Sequence, residues 1–243
     1  MTQPPAASVE TITADLHWAA EGARTRLDLW TRIVQRTRPA KVLEIGVWKG
    51  EFAAHILVHC DSIAEYAMLD SWRNLAGWDK PWNVPDETFE DIYREALSKT
   101  AFAAERRKIH RGTTTEVIGE IADESQDLVY IDGDHTLRGI VIDLVNALPK
   151  VKRGGFLAGD DFVPSLWRHG GKYEPTLVFP TAAYFAEAVG ATFFALPFDQ
   201  FLMVRPAGKP VWSFVDLTGR NLVLSLKRQL GVGRAIANLF GLK

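Results

Sequence analysis

Between residues 41 and 160, short apolar runs alternate with stretches that have the spacing of amphipathic helices. The predicted strands end near residues 47, 70, 111, 132 and 160. Parallel strands need a long crossover, usually a helix, so this alternation predicts βαβ units. Two further runs, at 192–196 and 200–204, are separated by a short turn and predict a closing hairpin. We therefore predict a Rossmann-like, doubly wound α/β sheet that is mostly parallel and seven-stranded, with an antiparallel last strand.

The composition excludes several classes of protein. The 243 residues include 30 acidic and 28 basic side chains, whereas a general nucleic-acid-binding protein usually carries a basic excess. The single cysteine, Cys60, excludes a disulfide framework and a Cys-rich zinc site. No apolar run approaches the roughly 20 residues that cross a bilayer, and the first residues lack the pattern of a secretory signal. We expect a cytoplasmic protein with no nucleic-acid partner and no membrane span.

Two flanking segments are predicted beside the central domain at 39–206. Residues 8–37 have helical spacing, so 1–38 is expected to form an N-terminal helical extension. The tail, 207–243, contains a strand-like piece at 211–215 and a basic helical pattern at 221–239. We expect the tail to pack on the domain or on a partner in a homodimer, the alternative being a helix at a membrane surface.

Residues at the ends of the first three predicted strands are suited to a nucleotide-like ligand. The first strand ends in Glu44-Ile45-Gly46-Val47-Trp48-Lys49-Gly50, in which Gly46 permits a tight turn and Gly50 precedes a helix. Trp48 replaces a glycine of the G-x-G-x-x-G pattern, which counts against a dinucleotide. Asp70 closes the second strand, where it either accepts hydrogen bonds from ribose hydroxyls or caps a turn.

Acidic residues cluster at the ends of the fourth and fifth predicted strands. Asp132 closes the fourth strand, and Asp160 and Asp161 close the fifth. Carboxylates crowded at one edge repel each other unless a cation joins them. Oxygen donors favour Mg²⁺ first, with Mn²⁺ next, so we predict a divalent metal site here. The alternative is that these side chains cap helices or bind backbone amides.

The combination of V-L-E-I-G-x-x-x-G, an acid closing the second strand, I-D-G-D-H and D-D resembles the class I S-adenosylmethionine-dependent methyltransferases. The resemblance covers about residues 40–205. It implies that the methionine part of the cofactor lies by the first glycine turn, the ribose by Asp70 and the adenine near the end of the third strand. The implied cofactor-binding residues are Glu44, Gly46, Gly50, Asp70, Ser71, Gly112, Thr113 and Asp132.

The acidic pattern further resembles the divalent-metal-dependent members, which include catechol enzymes and bacterial sugar O-methyltransferases. This resemblance implies that Asp132, Asp160 and Asp161 are the metal ligands. The catechol enzymes usually carry a lysine base near the end of strand four, whereas this chain has His135 there, as the sugar enzymes do. We therefore expect His135 to act as general base, with Asp134 as the rival.

Aromatic side chains in two predicted loops are candidates for contact with the acceptor. The loop at 71–85 carries Trp72, Trp78 and Trp82, and a second loop carries Trp167, His169 and Tyr173. We expect an O-methyltransferase that acts on a saccharide or glycoside hydroxyl, most specifically a mannoside of a methylated polysaccharide. The alternatives are a catechol or phenol acceptor, an NAD-dependent oxidoreductase and a non-catalytic relative of the fold.

Overall fold

The computed structural model describes residues 8–227. Its strands form one sheet of eight, in the order β3-β2-β1-β4-β5-β7-β6-β8. The strands are β1 (Lys41–Ile45), β2 (Glu65–Asp70), β3 (Arg107–Arg111), β4 (Gln126–Ile131), β5 (Val151–Gly159), β6 (Thr192–Leu196), β7 (Gln200–Val204) and β8 (Ser213–Asp216). Only β7 runs antiparallel to its neighbours, β5 and β6. The predicted doubly wound α/β fold is confirmed, with eight strands in place of the seven expected.

Helices cover both faces of this sheet. They are α1 (Val9–Gly22), α2 (Arg26–Thr37), α3 (Glu51–His59), α4 (Asp86–Lys99), α5 (Thr114–Val117), α6 (Leu137–Ala147) and α7 (Val178–Val189). The first four pack on one face, where Trp30 and Ile56 join a buried apolar cluster. Helices α5 to α7 pack on the other face, where Ile140 and Ala182 are fully buried. Because β1 lies between β2 and β4, the loop after β1 lies beside the loops that follow both neighbours, at the edge where ligands bind in open α/β sheets.

The N-terminal segment forms two helices where the sequence pattern predicts one. Helix α1 ends at Gly22, and Thr25 caps α2, its hydroxyl accepting a hydrogen bond from the backbone N–H of Asp28 at 3.1 Å. The carboxylate of Asp28 accepts in turn from the backbone N–H of Arg24 at 2.9 Å. Such local caps stabilise a helix start. The break makes Arg26 the first residue of α2, close to the carboxyl edge of the sheet.

The tail adds the eighth strand. Strand β8 pairs in parallel with β6, two residues later than the strand-like piece predicted at 211–215. The helix predicted at 221–239 lies largely outside the described residues. Within residues 8–227, no helix is long and apolar enough to cross a membrane. The domain boundaries and the homodimer remain predictions.

Candidate functional site

A cavity of about 680 Å³ opens at the carboxyl edge of the sheet. Most of the residues singled out from the sequence line it: Glu44, Gly46, Asp70, Ser71, Trp78, Trp82, Gly112, Thr113, Asp132, Asp134, His135, Asp161 and His169. The structure thus brings residues from distant parts of the chain to one place. Five predicted residues do not line the cavity: Gly50, Trp72, Asp160, Trp167 and Tyr173.

The turn after β1 depends on the absence of a side chain at Gly46. Its φ is +88°, and a Cβ built there would lie 2.3 Å from the backbone oxygen of Asp132. The backbone N–H of Gly46 donates to the Leu69 carbonyl at 2.9 Å, so the turn contacts both neighbouring strands. Gly50 also has a positive φ, but it faces Ala96 of α4 and not the cavity. Gly50 therefore packs against α4 and does not line the cavity in which the cofactor contact was predicted.

Two acids lie by the glycine turn. Glu44 is buried and accepts a hydrogen bond from the Tyr66 hydroxyl at 2.7 Å, and burial holds its pKa well above the usual range. Asp70 accepts from the backbone N–H groups of Trp48 at 2.8 Å and Trp72 at 2.9 Å. Burial raises the pKa of Asp70, backbone N–H groups on both flanking turns oppose the rise, and the residue lines the cavity. Both predicted interpretations of Asp70, turn cap and ribose acceptor, are compatible with this geometry.

The end of β3 leads into a capped helix. The backbone N–H of Thr113 donates to the Glu116 carboxylate at 2.8 Å within a capping box. The next residue, Thr114, donates its hydroxyl to the buried carboxyl of Asp143 at 2.6 Å. Gly112 and Thr113 line the cavity beside this pair, as the adenine expectation requires.

Asp143 is expected to make stability depend on pH. Burial raises its pKa to about 7, although the hydrogen bond from Thr114 opposes the rise, whereas an aspartate in an unfolded chain titrates near about 3.9. Because the native state holds this proton to higher pH, the stability contribution is complete below about pH 4 and is lost as pH rises through about 7. We expect Asp143→Asn to gain Tm relative to the wild type between pH 5 and pH 8 in thermal melts. A Tm difference that stays constant with pH would contradict this assignment.

Two of the three predicted metal ligands bind an arginine. The Nη1 atom of Arg26 donates to Asp132 Oδ2 at 2.8 Å and also to Asp160 Oδ2. Burial and the charge of Asp160 raise the pKa of Asp132 to about 7. The other oxygen of Asp160 accepts from the side-chain amide of Gln200. The positive charge between Asp132 and Asp160 is thus that of Arg26 in this structure, at the place where the sequence predicts a metal ion.

The third predicted ligand, Asp161, binds His135 and Arg168. Its Oδ2 lies 2.6 Å from His135 Nδ1, and its Oδ1 lies 3.0 Å from Arg168 Nε. The other ring nitrogen, His135 Nε2, is buried, has no hydrogen-bond partner in the described chain and lies 3.6 Å from Asp132 Oδ1. Burial lowers the pKa of His135, but the bond to Asp161 and the neighbouring carboxylates raise it to about 9. Among residues 8–227, no set of three or more His, Cys, Asp or Glu side chains is arranged to hold a metal ion.

Asp134 is engaged in structural hydrogen bonds. It accepts from the backbone N–H of Thr136 at 2.9 Å and from its hydroxyl at 3.0 Å. It also accepts from the indole N–H of Trp78 at 2.9 Å. The bonds to Thr136 stabilise the start of α6, and the bond to Trp78 holds this indole at the cavity wall. Asp134 is therefore a positioning residue in this arrangement, and His135 is the better candidate for a base.

The predicted aromatic walls are only partly found. Trp78 and Trp82 line the cavity. Trp72 is 0% exposed, and its indole N–H donates to the Trp48 carbonyl at 2.8 Å, so it is a core residue and not an acceptor wall. Trp167 is 57% exposed and lies outside the cavity.

The second predicted wall contributes one residue to the cavity. Tyr173 lies outside it, with Lys172 Nζ 4.8 Å from its ring centroid. His169 lines the cavity, and its Nδ1 is buried without a hydrogen-bond partner in the described chain. The wall predicted from Trp167, His169 and Tyr173 is thus reduced to His169.

Several charged residues of the cavity were not singled out from the sequence, among them Arg26, Lys80 and Arg168. Lys80 is 5% exposed, and its Nζ donates to the Glu174 carbonyl at 2.7 Å. The backbone N–H of Glu174 donates to the Asp79 carbonyl at 3.3 Å. These two bonds join the loop at 71–85 to the loop before α7 across the cavity. The position of Lys80 between Trp78 and Trp82 is the sequence signal that could have indicated its place in the cavity.

Comparison with known proteins agrees with the observed fold. Residues 43–162 match the family described as "Methyltransferase domain". The chain is similar to the O-methyltransferase TomG of Streptomyces achromogenes, involved in tomaymycin synthesis and solved with S-adenosylmethionine (15% identity, TM-score 0.53, 84% of this chain and 92% of TomG). It is also similar to an O-methyltransferase of Bacillus cereus solved with S-adenosylhomocysteine (18%, TM-score 0.51, 82% and 91%). These likenesses show the fold.

Two further relatives complete the comparison. One is a Staphylococcus aureus protein proposed to be a caffeoyl-CoA O-methyltransferase (17% identity, TM-score 0.56, 82% of this chain and 93% of that one). The other is a curated protein, the uncharacterized protein y4gI of Sinorhizobium fredii, 23% identical over 164 residues. That match covers 61% of this chain and 17% of y4gI, so the chain spans about a sixth of that relative's length.

Proposed function

We propose that this chain is an S-adenosylmethionine-dependent O-methyltransferase that methylates a hydroxyl of a saccharide or glycoside, with His135 as general base. The match of residues 43–162 to a methyltransferase domain and the fold shared with solved O-methyltransferases support this proposal. The observation that carries the proposal is the buried, unpartnered Nε2 of His135 at the cavity, with Nδ1 bonded to Asp161 at 2.6 Å. A mannoside of a methylated polysaccharide is the narrower form of this proposal.

His135 has the arrangement of an oriented base. With Nδ1–H donating to Asp161, the neutral ring presents the lone pair of Nε2 to the cavity, as in other triads of base and orienting acid. S-adenosylmethionine supplies the reactive methyl group as part of a sulfonium, so the chain has to place the acceptor oxygen and remove its proton. Nε2 takes that proton as the oxygen attacks. The Arg168 bond to Asp161 holds the orienting acid ionised.

The cavity supports a polar acceptor with flat apolar faces. Trp78 and Trp82 offer rings against which a sugar can pack, while Lys80, Arg168 and His169 supply polar atoms for hydroxyl groups. The observation that favours the second candidate, a catechol or other phenol, is Lys80. A lysine is the usual base of the catechol enzymes that the sequence resembles, and Lys80 lies in this cavity with its pKa lowered by burial.

A divalent ion was expected at this centre, and two residues fit it. Asp132 and Asp160 each direct one oxygen to a common point, and Mg²⁺ is commonly bound through one or two carboxylates with waters completing the shell. Asp161 does not join them, because both of its oxygens bind cationic side chains. A bound dication would make an acceptor hydroxyl more acidic.

The experiment that tests the proposal is S-adenosylhomocysteine release on a panel of mannosides, other glycosides and catechols, with Mg²⁺ and with EDTA. We expect turnover on a saccharide, and we expect Lys80→Met to keep most of it while His135→Gln does not. Turnover on catechols alone, lost in Lys80→Met, would replace the saccharide proposal with the phenol one. No turnover together with no binding of S-adenosylhomocysteine would indicate a non-catalytic relative.

A further inference from the structure

Two carboxylates of the site converge on a single nitrogen atom. The Nη1 atom of Arg26 donates hydrogen bonds to Asp132 Oδ2, at 2.8 Å, and to Asp160 Oδ2. Two acid oxygens directed at one point form the arrangement that a small cation requires. The guanidinium nitrogen therefore stands at the position where a divalent ion would be held.

The Asp160 side chain is fixed in this direction by a buried network. Its other oxygen accepts from the amide of Gln200, whose own carbonyl oxygen accepts from the Trp30 indole and the Tyr130 hydroxyl, both at 2.8 Å. Gln200 is fully buried. The oxygen that faces Arg26 thus keeps its position without depending on Arg26 itself.

A second feature points to a missing partner at the same place. His135 Nε2 is buried with no hydrogen-bond partner in the described chain, and it lies 3.6 Å from Asp132 Oδ1. A buried polar atom without a partner costs free energy and calls for a ligand or a substrate atom. Arg26, Asp132 and His135 all line the cavity, whereas Asp160 does not.

We propose that Arg26 and a divalent cation of the Mg²⁺ class compete for the point at which Asp132 and Asp160 converge. Arg26 is the first residue of α2, and about a third of its side chain is exposed, so the guanidinium has a path into solvent. When it leaves, the two carboxylates accept the ion; when it returns, its charge replaces the ion. The inference concerns the cavity of the proposed function, but it depends neither on the acceptor nor on methyl transfer.

The test is Mn²⁺ binding to the full chain without cofactor, followed by isothermal titration and by loss of the free-ion EPR signal. We expect Arg26→Ala to bind Mn²⁺ at least about tenfold more tightly than the wild type, because a competing unit charge has been removed. Arg26→Lys retains the charge and is expected to stay near the wild type. Arg36→Ala changes another arginine of α2 and removes its ion pair with Asp15 of α1, so it is the matched control and should leave the Mn²⁺ affinity unchanged.

The same measurements can overturn the inference. Equal Mn²⁺ affinity in the wild type and Arg26→Ala, or no binding by either, would do so, as would binding by Arg26→Ala that survives the added Asp160→Asn. Arg26→Gln carries the same expectation and serves if Arg26→Ala does not fold, with circular dichroism melts as the check. Binding of S-adenosylhomocysteine is measured in parallel, so that a protein that binds Mn²⁺ but not this ligand refutes the proposed function and not the competition.

Discussion

Replacing His135 by glutamine will lower kcat by about 10²-fold or more while leaving the affinity for S-adenosylhomocysteine nearly unchanged. The loss follows because Nε2 of His135 is a buried basic atom with no hydrogen-bond partner in the described chain and with an orienting acid on Nδ1, and glutamine cannot accept a proton there. The pH dependence gives a second measurement. Since the pKa of His135 is raised to about 9, wild-type kcat/KM should rise with pH through the alkaline range as the ring becomes neutral, and the variant should lose this rise.

The control for this prediction is the other histidine of the cavity. His169→Gln is expected to affect KM more than kcat, because His169 lines the cavity but is not bonded to an orienting acid. A loss of less than about tenfold in His135→Gln would move the role of base to another group, with Lys80 as the next candidate.

Asp161→Asn should shift the alkaline rise of kcat/KM to lower pH, because it removes the charge that raises the pKa of His135.

Introducing a methyl group at Gly46 is expected to have the second large effect. The φ of +88° and the backbone of Asp132 at 2.3 Å from a built Cβ leave no space for it, and the contact is with main chain that cannot rotate away. Gly46→Ala should lower the free energy of unfolding by about 2–5 kcal/mol, from left-handed strain and overpacking together. It should also remove measurable binding of S-adenosylhomocysteine, because the β1 turn and the end of β4 both line the cavity.

Gly77 offers a matched control. It has a φ of +79°, close to that of Gly46, but nothing lies within 4 Å of a Cβ built there. Gly77→Ala should therefore show the cost of strain alone, on the order of 1–2 kcal/mol. Equal losses in the free energy of unfolding would mean that the contact with Asp132 does not contribute to the effect of Gly46→Ala.

The sequence predicted the sheet well because its signal is local and repeated. The strands β1, β2, β4 and β5 contain short apolar runs that end in a glycine, an acid or a turn, whereas β3 is a polar edge strand, and all five lie near the positions that the sequence indicated. The break between α1 and α2 was missed because the spacing of apolar residues continues across it. Thr25 and Asp28, which form the capping bonds at that break, are the local signal for the start of a second helix.

The site was predicted less completely, for two physical reasons. Crowded carboxylates indicate a nearby cation, but the sequence does not distinguish a metal ion from the guanidinium of Arg26. That guanidinium comes from α2, more than a hundred residues away in sequence from Asp132. The loop tryptophans look alike in the sequence, yet Trp72 points into the core and Trp78 to the cavity. Which side of a loop a residue faces is decided by tertiary contacts that no spacing encodes.

The buried bond between Trp30 and Gln200 has a consequence for where the properties of the acidic centre are encoded. The matched domain spans residues 43–162, whereas Arg26, Trp30 and Gln200 all lie outside it. Arg26 and Gln200, which bind Asp160, thus belong to α2 and β7 and not to the matched domain. If Arg26 and a cation compete as proposed, a substitution in α2 changes the ion affinity of this centre while the sequence of the matched domain stays the same.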